Sequence, residues 1–155
     1  IKEAQPPESA LELDKELPGK GGAVRWKSAD AFVRPQGDGK AALFDLDQLF
    51  KPKDDVSSYL LIHVRAPMPM SAQLLLGYDD ACKVWLNGAV VHTGEGVKKA
   101  DEVAVPVKLR EGWNRLLVKV HNKGGQWMFV ARLADKDKKS IDELEYHPTG
   151  DELVY

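Results

Sequence analysis

The sequence predicts an all-β protein: an antiparallel β-sandwich of jelly-roll type with about nine strands. Three observations carry that expectation. Apolar residues recur at every second position through most of residues 23–135, the mark of strands buried on one face. Between the apolar runs lie turn-forming stretches, "PQGDGK", "APMPMS", "TGEGVKKAD", "REG" and "NKGGQ". Within the same span, no amphipathic helix longer than two turns can be drawn.

Taken in order, residues 1–22, "IKEAQPPESALELDKELPGKGG", mix prolines, glycines and charges without a sustained apolar period. They read as an interdomain linker or a partly ordered N-terminal segment. The sandwich is expected over residues 23–135. Its short strands are "AVRW" (23–26), "ALFDL" (42–46) and "AQLLLG" (72–77). "YLLIHVRA" sets Leu60, Ile62 and Val64 on one face, and "EVAVPVKL" does the same for Val103, Val105, Val107 and Leu109. Pro106 lies inside that second run; lacking an N–H, it marks an edge strand or a bulge. "NRLLVKV" aligns Leu116, Val118 and Val120 against Leu117 and Lys119, and "WMFVARL" aligns Trp127, Phe129, Ala131 and Leu133. Residues 136–155 form a charged C-terminal segment whose Ile141, Leu144, Tyr146, Leu153 and Val154 could pack on the sandwich.

The stretch "GYDDACKVWLNGAVVH" (77–92) holds the strongest local signal. Asn87-Gly88 supplies the two positive-φ residues of a type I′ hairpin turn. That turn sets a register of Leu86 with Ala89, Trp85 with Val90, Val84 with Val91 and Lys83 with His92. Cys82, Val84, Leu86 and Val91 then face the core, while Lys83, Trp85, Val90 and His92 face outward. An outward Trp85 has two readings, packing with the Lys83 stem under a loop or tail, or serving as a ligand platform.

The totals exclude several function classes. A chain of 155 residues suits one domain. With 22 basic and 24 acidic residues the net charge is −2, so no positive field serves nucleic acid. No apolar run has the length of a membrane-spanning helix. One cysteine, Cys82, permits neither an intramolecular disulfide nor a multi-cysteine zinc site, and its alternating context reads as a buried small hydrophobe. His63, His92, His121 and His147 lack metal-ligand spacing, and the first three read as solvent-facing strand positions. No carboxylate stands alone in an apolar run, and no nucleophile, phosphate or dinucleotide motif is present, so catalysis is not expected. No cofactor is expected either. Asp79 and Asp80 read as turn residues accepting backbone hydrogen bonds two positions on; as calcium ligands they supply only part of a shell.

The series "LLLGYDDACKVWLNGAVVH", "VPVKLREGWNRLLVKV" and "GGQWMFVARLAD" resembles a galactose-binding-like jelly-roll module. Similar carbohydrate-binding modules accompany secreted bacterial polysaccharide-degrading enzymes, and the sugar-binding domain of family 2 glycoside hydrolases is a more distant likeness. The resemblance covers roughly residues 23–135, most densely 71–134. It runs through Gly77, Asp79, Asp80, Lys83–Gly88, Gly112, Asn114, Leu116, Val118, Lys119, Trp127, Phe129 and Arg132. Tyr78 departs from the usual serine and Ala81 from the usual glycine. Most of these positions are turn, core and register determinants.

The resemblance implies an extracellular or periplasmic module that binds polysaccharide or oligosaccharide and neighbours other domains of a larger protein. Sugars need aromatic faces for stacking and planar polar groups for orientation. The candidates are Tyr78, Trp85, Trp113 and Trp127, with Asp79, Asp80, Asn114 and Gln126 beside them and Asn122 and Lys123 near in sequence. Against that stands a structural reading in which Trp113 anchors a loop, Trp127 is core, and the module only packs on a neighbour. Exposed rings on one concave patch would favour binding; buried rings would favour packing.

Overall fold

The computed structural model describes residues 1, 3–28, 33–36, 41–51 and 53–147, and for 33–36 and 41–42 the backbone alone. Among these residues a one-turn helix, α1 (Pro6–Ser9), precedes twelve strands. These are β1 (Leu17–Gly19), β2 (Gly22–Val24), β3 (Val33–Gln36), β4 (Ala41–Asp45), β5 (Val56–Ala66) and β6 (Met70–Tyr78). There follow β7 (Ala81–Leu86), β8 (Ala89–Glu95), β9 (Lys98–Leu109), β10 (Gly112–Asn122), β11 (Met128–Ala134) and β12 (Glu145–His147). No helix among the described residues is long and apolar enough to cross a membrane.

Two five-stranded antiparallel sheets face each other, ordered β12-β5-β10-β7-β8 and β3-β4-β11-β6-β9. From β4 to β11 the chain alternates between them in the order of a jelly roll, two interleaved Greek keys. The nine expected strands correspond to β2 and β4–β11. The other three, β1, β3 and β12, are three or four residues long, too short to show a period. The expected "AVRW" strand stops at Val24 and pairs with β1 in a separate two-stranded piece.

The alternation placed the core correctly. Leu60, Val64, Leu116, Val118, Val120, Trp127, Phe129 and Leu133 all lie between the sheets, with Ile62, Val103 and Ala131 packed against them. Pro106 sits on β9, an edge strand, where its missing N–H costs no ladder bond. Cys82 is buried, and burial pushes its thiol well above the usual range.

The β7–β8 hairpin turns at Asn87 (φ 50°) and Gly88 (φ 86°) as its sequence requires. Its register departs from expectation after two pairs. Leu86 pairs with Ala89 and Trp85 with Val90, but Val84 pairs with His92 and Lys83 with Thr93. Val91 is the extra residue of a β-bulge, and a one-residue shift turns every later side chain to the opposite face. His92 therefore points inward with Val84 instead of outward with Lys83.

Candidate functional site

Two of the four aromatic residues expected at a ligand surface, Tyr78 and Trp127, serve the interior instead. Tyr78, at the end of β6, is 1% exposed. Its hydroxyl lies 3.0 Å from His92 Nε2, joining β6 of one sheet to β8 of the other. Burial raises the Tyr78 hydroxyl above its ordinary pKa and lowers that of His92. Gly94 closes this corner, because a Cβ there would overlap both the Tyr78 hydroxyl and the His92 ring.

Asp79 and Asp80 connect β6 to β7 without the expected local turn bonds. Asp80 Oδ2 accepts from Lys123 N at 2.7 Å, 43 positions away. Their amides donate to Met128 O and His121 O. Burial, then the neighbouring Asp80 and Asp47, raises the Asp79 carboxyl. Among the described residues, no group of three or more His, Cys, Asp or Glu is placed to hold a metal ion.

Trp85 does lie on the outer face of its sheet, yet it is 7% exposed. Residues Pro7 to Leu11 run beside it, leaving a seam of about 100 Å³, and Lys83 Nζ stands 5.0 Å from its ring centroid. Trp127 is 1% exposed and packs on Phe50 at 5.5 Å; its amide donates to Asp47 Oδ2 at 3.2 Å. Trp113 is half-buried, edge-on to His147 at 6.4 Å. Gln126 and Lys123 are exposed, while Asn122 is buried and donates to Lys53 O at 2.7 Å.

Asn114 is buried and fully engaged. Its Oδ1 accepts from Asn87 Nδ2 and Arg110 N, and its Nδ2 donates to Arg110 O and Gly112 O, all within 3.1 Å. With its hydrogen-bonding capacity spent on two turns, it has nothing left for a ligand.

The outer face of β5 and β10 carries a buried ion pair. Glu8 Oε1 accepts from Lys119 Nζ at 2.8 Å and from the Tyr59 hydroxyl at 2.6 Å, and Lys119 also donates to Glu3 O. Lys119 is 2% exposed, so this residue on the face opposite Leu116, Val118 and Val120 is covered by the N-terminal segment. Burial alone would raise the Glu8 carboxyl, but the Lys119 and Tyr59 hydrogen bonds outweigh it and lower the pKa. Burial and the same carboxylate push the Tyr59 hydroxyl far up.

A cleft of about 1320 Å³ opens beside β5, bounded by the β1–β2 piece and β12. Its lining is more apolar than polar and includes Trp26, Phe50, Tyr59 and Tyr146. Tyr146 is 53% exposed and Trp26 half-buried. Ser58 and Trp127 also line it, and their Oγ and Nε1 are buried without a hydrogen-bond partner among the described residues. Of the expected site residues, only Trp127 borders this space. Trp26 and Tyr146 lie at the margins of the apolar period, Trp26 closing "AVRW" and Tyr146 in the charged C-terminal segment, where spacing gives no sign of a shared surface.

No family model matches the chain. It is similar to a β-galactosidase from Arthrobacter sp. (strain B7), 39% identical over 62 residues, or 40% of this chain. The match spans 6% of that enzyme's length. The crystal structure of the PA14 domain of the MpAFP antifreeze protein is similar at 20% identity and a TM-score of 0.46, over 54% of this chain and 45% of that one.

Proposed function

We propose that this chain is a non-catalytic accessory module of a larger carbohydrate-active protein, exported to the cell exterior or periplasm, and that it works by packing and positioning. The observation that carries this reading is the burial of Tyr78, Trp85 and Trp127 together with the saturation of Asn114. These residues are spent on packing and turn geometry, so the polar and aromatic chemistry of the turns is structural work. The similarity of 62 residues to a β-galactosidase supports the carbohydrate-active setting. Residues 23–135 remain the proposed sandwich unit, flanked by the segment 1–22 and by the segment 136–155, whose β12 adds to one sheet edge.

A second reading, direct polysaccharide binding, is favoured by one observation: Trp26 and Tyr146 line a single concave cleft with part of each ring uncovered. Affinity electrophoresis through soluble neutral and acidic polysaccharides separates the two. Migration unchanged in every gel supports the packing role. Retardation that is lost in Trp26→Ala and Tyr146→Ala, with thermal unfolding unchanged, replaces it by the binding role.

A further inference from the structure

Strand β5 has two edges. One pairs with β10 along its whole length, from Val56↔Asn122 to Ala66↔Gly112. The other meets β12 at Arg65, Val64 and His63; among the described residues, Val56–Ile62 has no ladder partner on that side. Every residue from Val56 to Ile62 lines the large cleft, inward Leu60 and Ile62 as well as outward Tyr59 and Leu61. Both faces of a strand open on one space only at its edge. The cleft continues inward to Leu74, Leu116 and Leu133, which belong to the core between the sheets. Among the described residues, no strand pairs this edge or closes the interior along this stretch.

We propose that the Val56–Ile62 edge is a strand-addition site, occupied by an extended peptide segment of another domain or protein with apolar residues at alternate positions. β12 already demonstrates the mode: it joins the same edge antiparallel and sets Tyr146 opposite Val64. A strand continuing that line needs seven residues, about 23 Å. Its main chain bonds to β5, and its alternate side chains enter the gap between the sheets opposite Ile62, Leu60 and Val56. Opposite Ser58, whose Oγ has no partner among the described residues, the matching side chain is a small hydroxyl. The chemistry recognised is thus an alternating apolar strand with one Ser or Thr at the third inward position. This site requires no sugar and is independent of the module's parent.

The test uses the whole chain and the acetylated, amidated peptide VKVTTKV, with VVKTKVT as a control of equal composition and broken alternation. Amide hydrogen exchange is followed by NMR with and without peptide. The expected result is that alternate amides within Val56–Ile62 slow by roughly tenfold or more with the first peptide and not with the second. Ile62→Lys should abolish the slowing while β7–β8 protection persists; if that variant does not fold, the control peptide carries the comparison. No slowing, or equal slowing by both peptides, overturns the proposal. So does edge protection already present in the free chain and lost on removing residues 148–155, which assigns the edge to the chain's own tail. Slowing by a soluble β-galactan but not by the peptide overturns it in favour of a sugar.

Discussion

The side-chain amide of Asn87 donates to the side-chain carbonyl of Asn114 at 2.9 Å, tying the tip of one hairpin to the turn that begins β10. Asn87 Oδ1 in turn accepts from Arg115 N at 2.9 Å. The two asparagines of "WLNG" and "GWN" are therefore one device, which holds β7 and β10 in register. Asn114→Ala leaves Asn87 Nδ2 and Arg110 N unpaired and should lower stability by about 1–3 kcal/mol. Asn87→Ala should cost about the same, and the double variant less than the sum of the two. Urea unfolding of all four proteins measures this; strict additivity would contradict the coupling.

Gly94 is set against the Tyr78 hydroxyl and the His92 ring. Gly94→Ala should destabilise by roughly 1–3 kcal/mol through overpacking. Tyr78→Phe, which removes the clashing oxygen, should restore part of that loss in the double variant. A double variant no more stable than Gly94→Ala alone would show that the clash lies elsewhere.

His92 adds a pH dependence to the same corner. Burial lowers its pKa from 6.5, so the folded state binds its proton less readily than the unfolded chain. Its contribution is whole above about pH 6.5 and is lost as pH falls through the lower folded value. Thermal midpoints measured from pH 8 to 5 should drop for the wild type and drop less for His92→Gln. Parallel curves would remove His92 from the account.

Glu8 should govern how firmly the N-terminal segment is held. Glu8→Gln leaves Lys119 buried without a counter-charge, a loss on the order of 3 kcal/mol for a pair this enclosed. Because the folded carboxyl sits below its ordinary 4.5, the benefit is present above that pH and fades as pH falls through the folded value. The gap between wild type and Glu8→Gln in proteolysis of residues 1–22 should therefore close in acid. A gap that stays constant down to pH 3 would show that the charge is not what holds the segment.

Trp127→Ala should cost about 3–5 kcal/mol, the penalty for emptying a large core position. Trp26→Ala should leave the unfolding midpoint within about a degree or two. A stable Trp127→Ala would reopen it as a surface residue.

How much of this was legible in the sequence follows from what each feature depends on. β4–β11, and the inward faces of β5, β9, β10 and β11, could be read because period-two alternation is a property of each strand by itself. The Asn87-Gly88 turn could be read for the same reason. The Val91 bulge could not; it turns His92 toward Tyr78 of the other sheet, a contact between segments the local pattern does not connect. Trp85 illustrates a second limit: its outward direction was correct, but the cover over it comes from residues near 7–11, read as linker. Lys119 misleads in the same way, since a lysine on an outward position reads as solvated until Glu8 arrives. The site residues were therefore the least legible part, because burial by a distant segment leaves no trace in spacing.

The strand order also fixes how this chain must find its fold. In the two sheets only β3–β4 and β7–β8 join strands that follow one another, whereas β5–β10 unites residues 56–66 with 112–122 and β4–β11 unites 42–45 with 128–131. Loops of that length must close before their contacts are rewarded, which places such topologies in the millisecond-to-second range of folding times. The β7–β8 hairpin, with its turn written into Asn87-Gly88, is a local ladder inside the sandwich that can form early. Substitutions there should slow refolding, while substitutions in late-arriving β12 should show themselves mainly as faster unfolding.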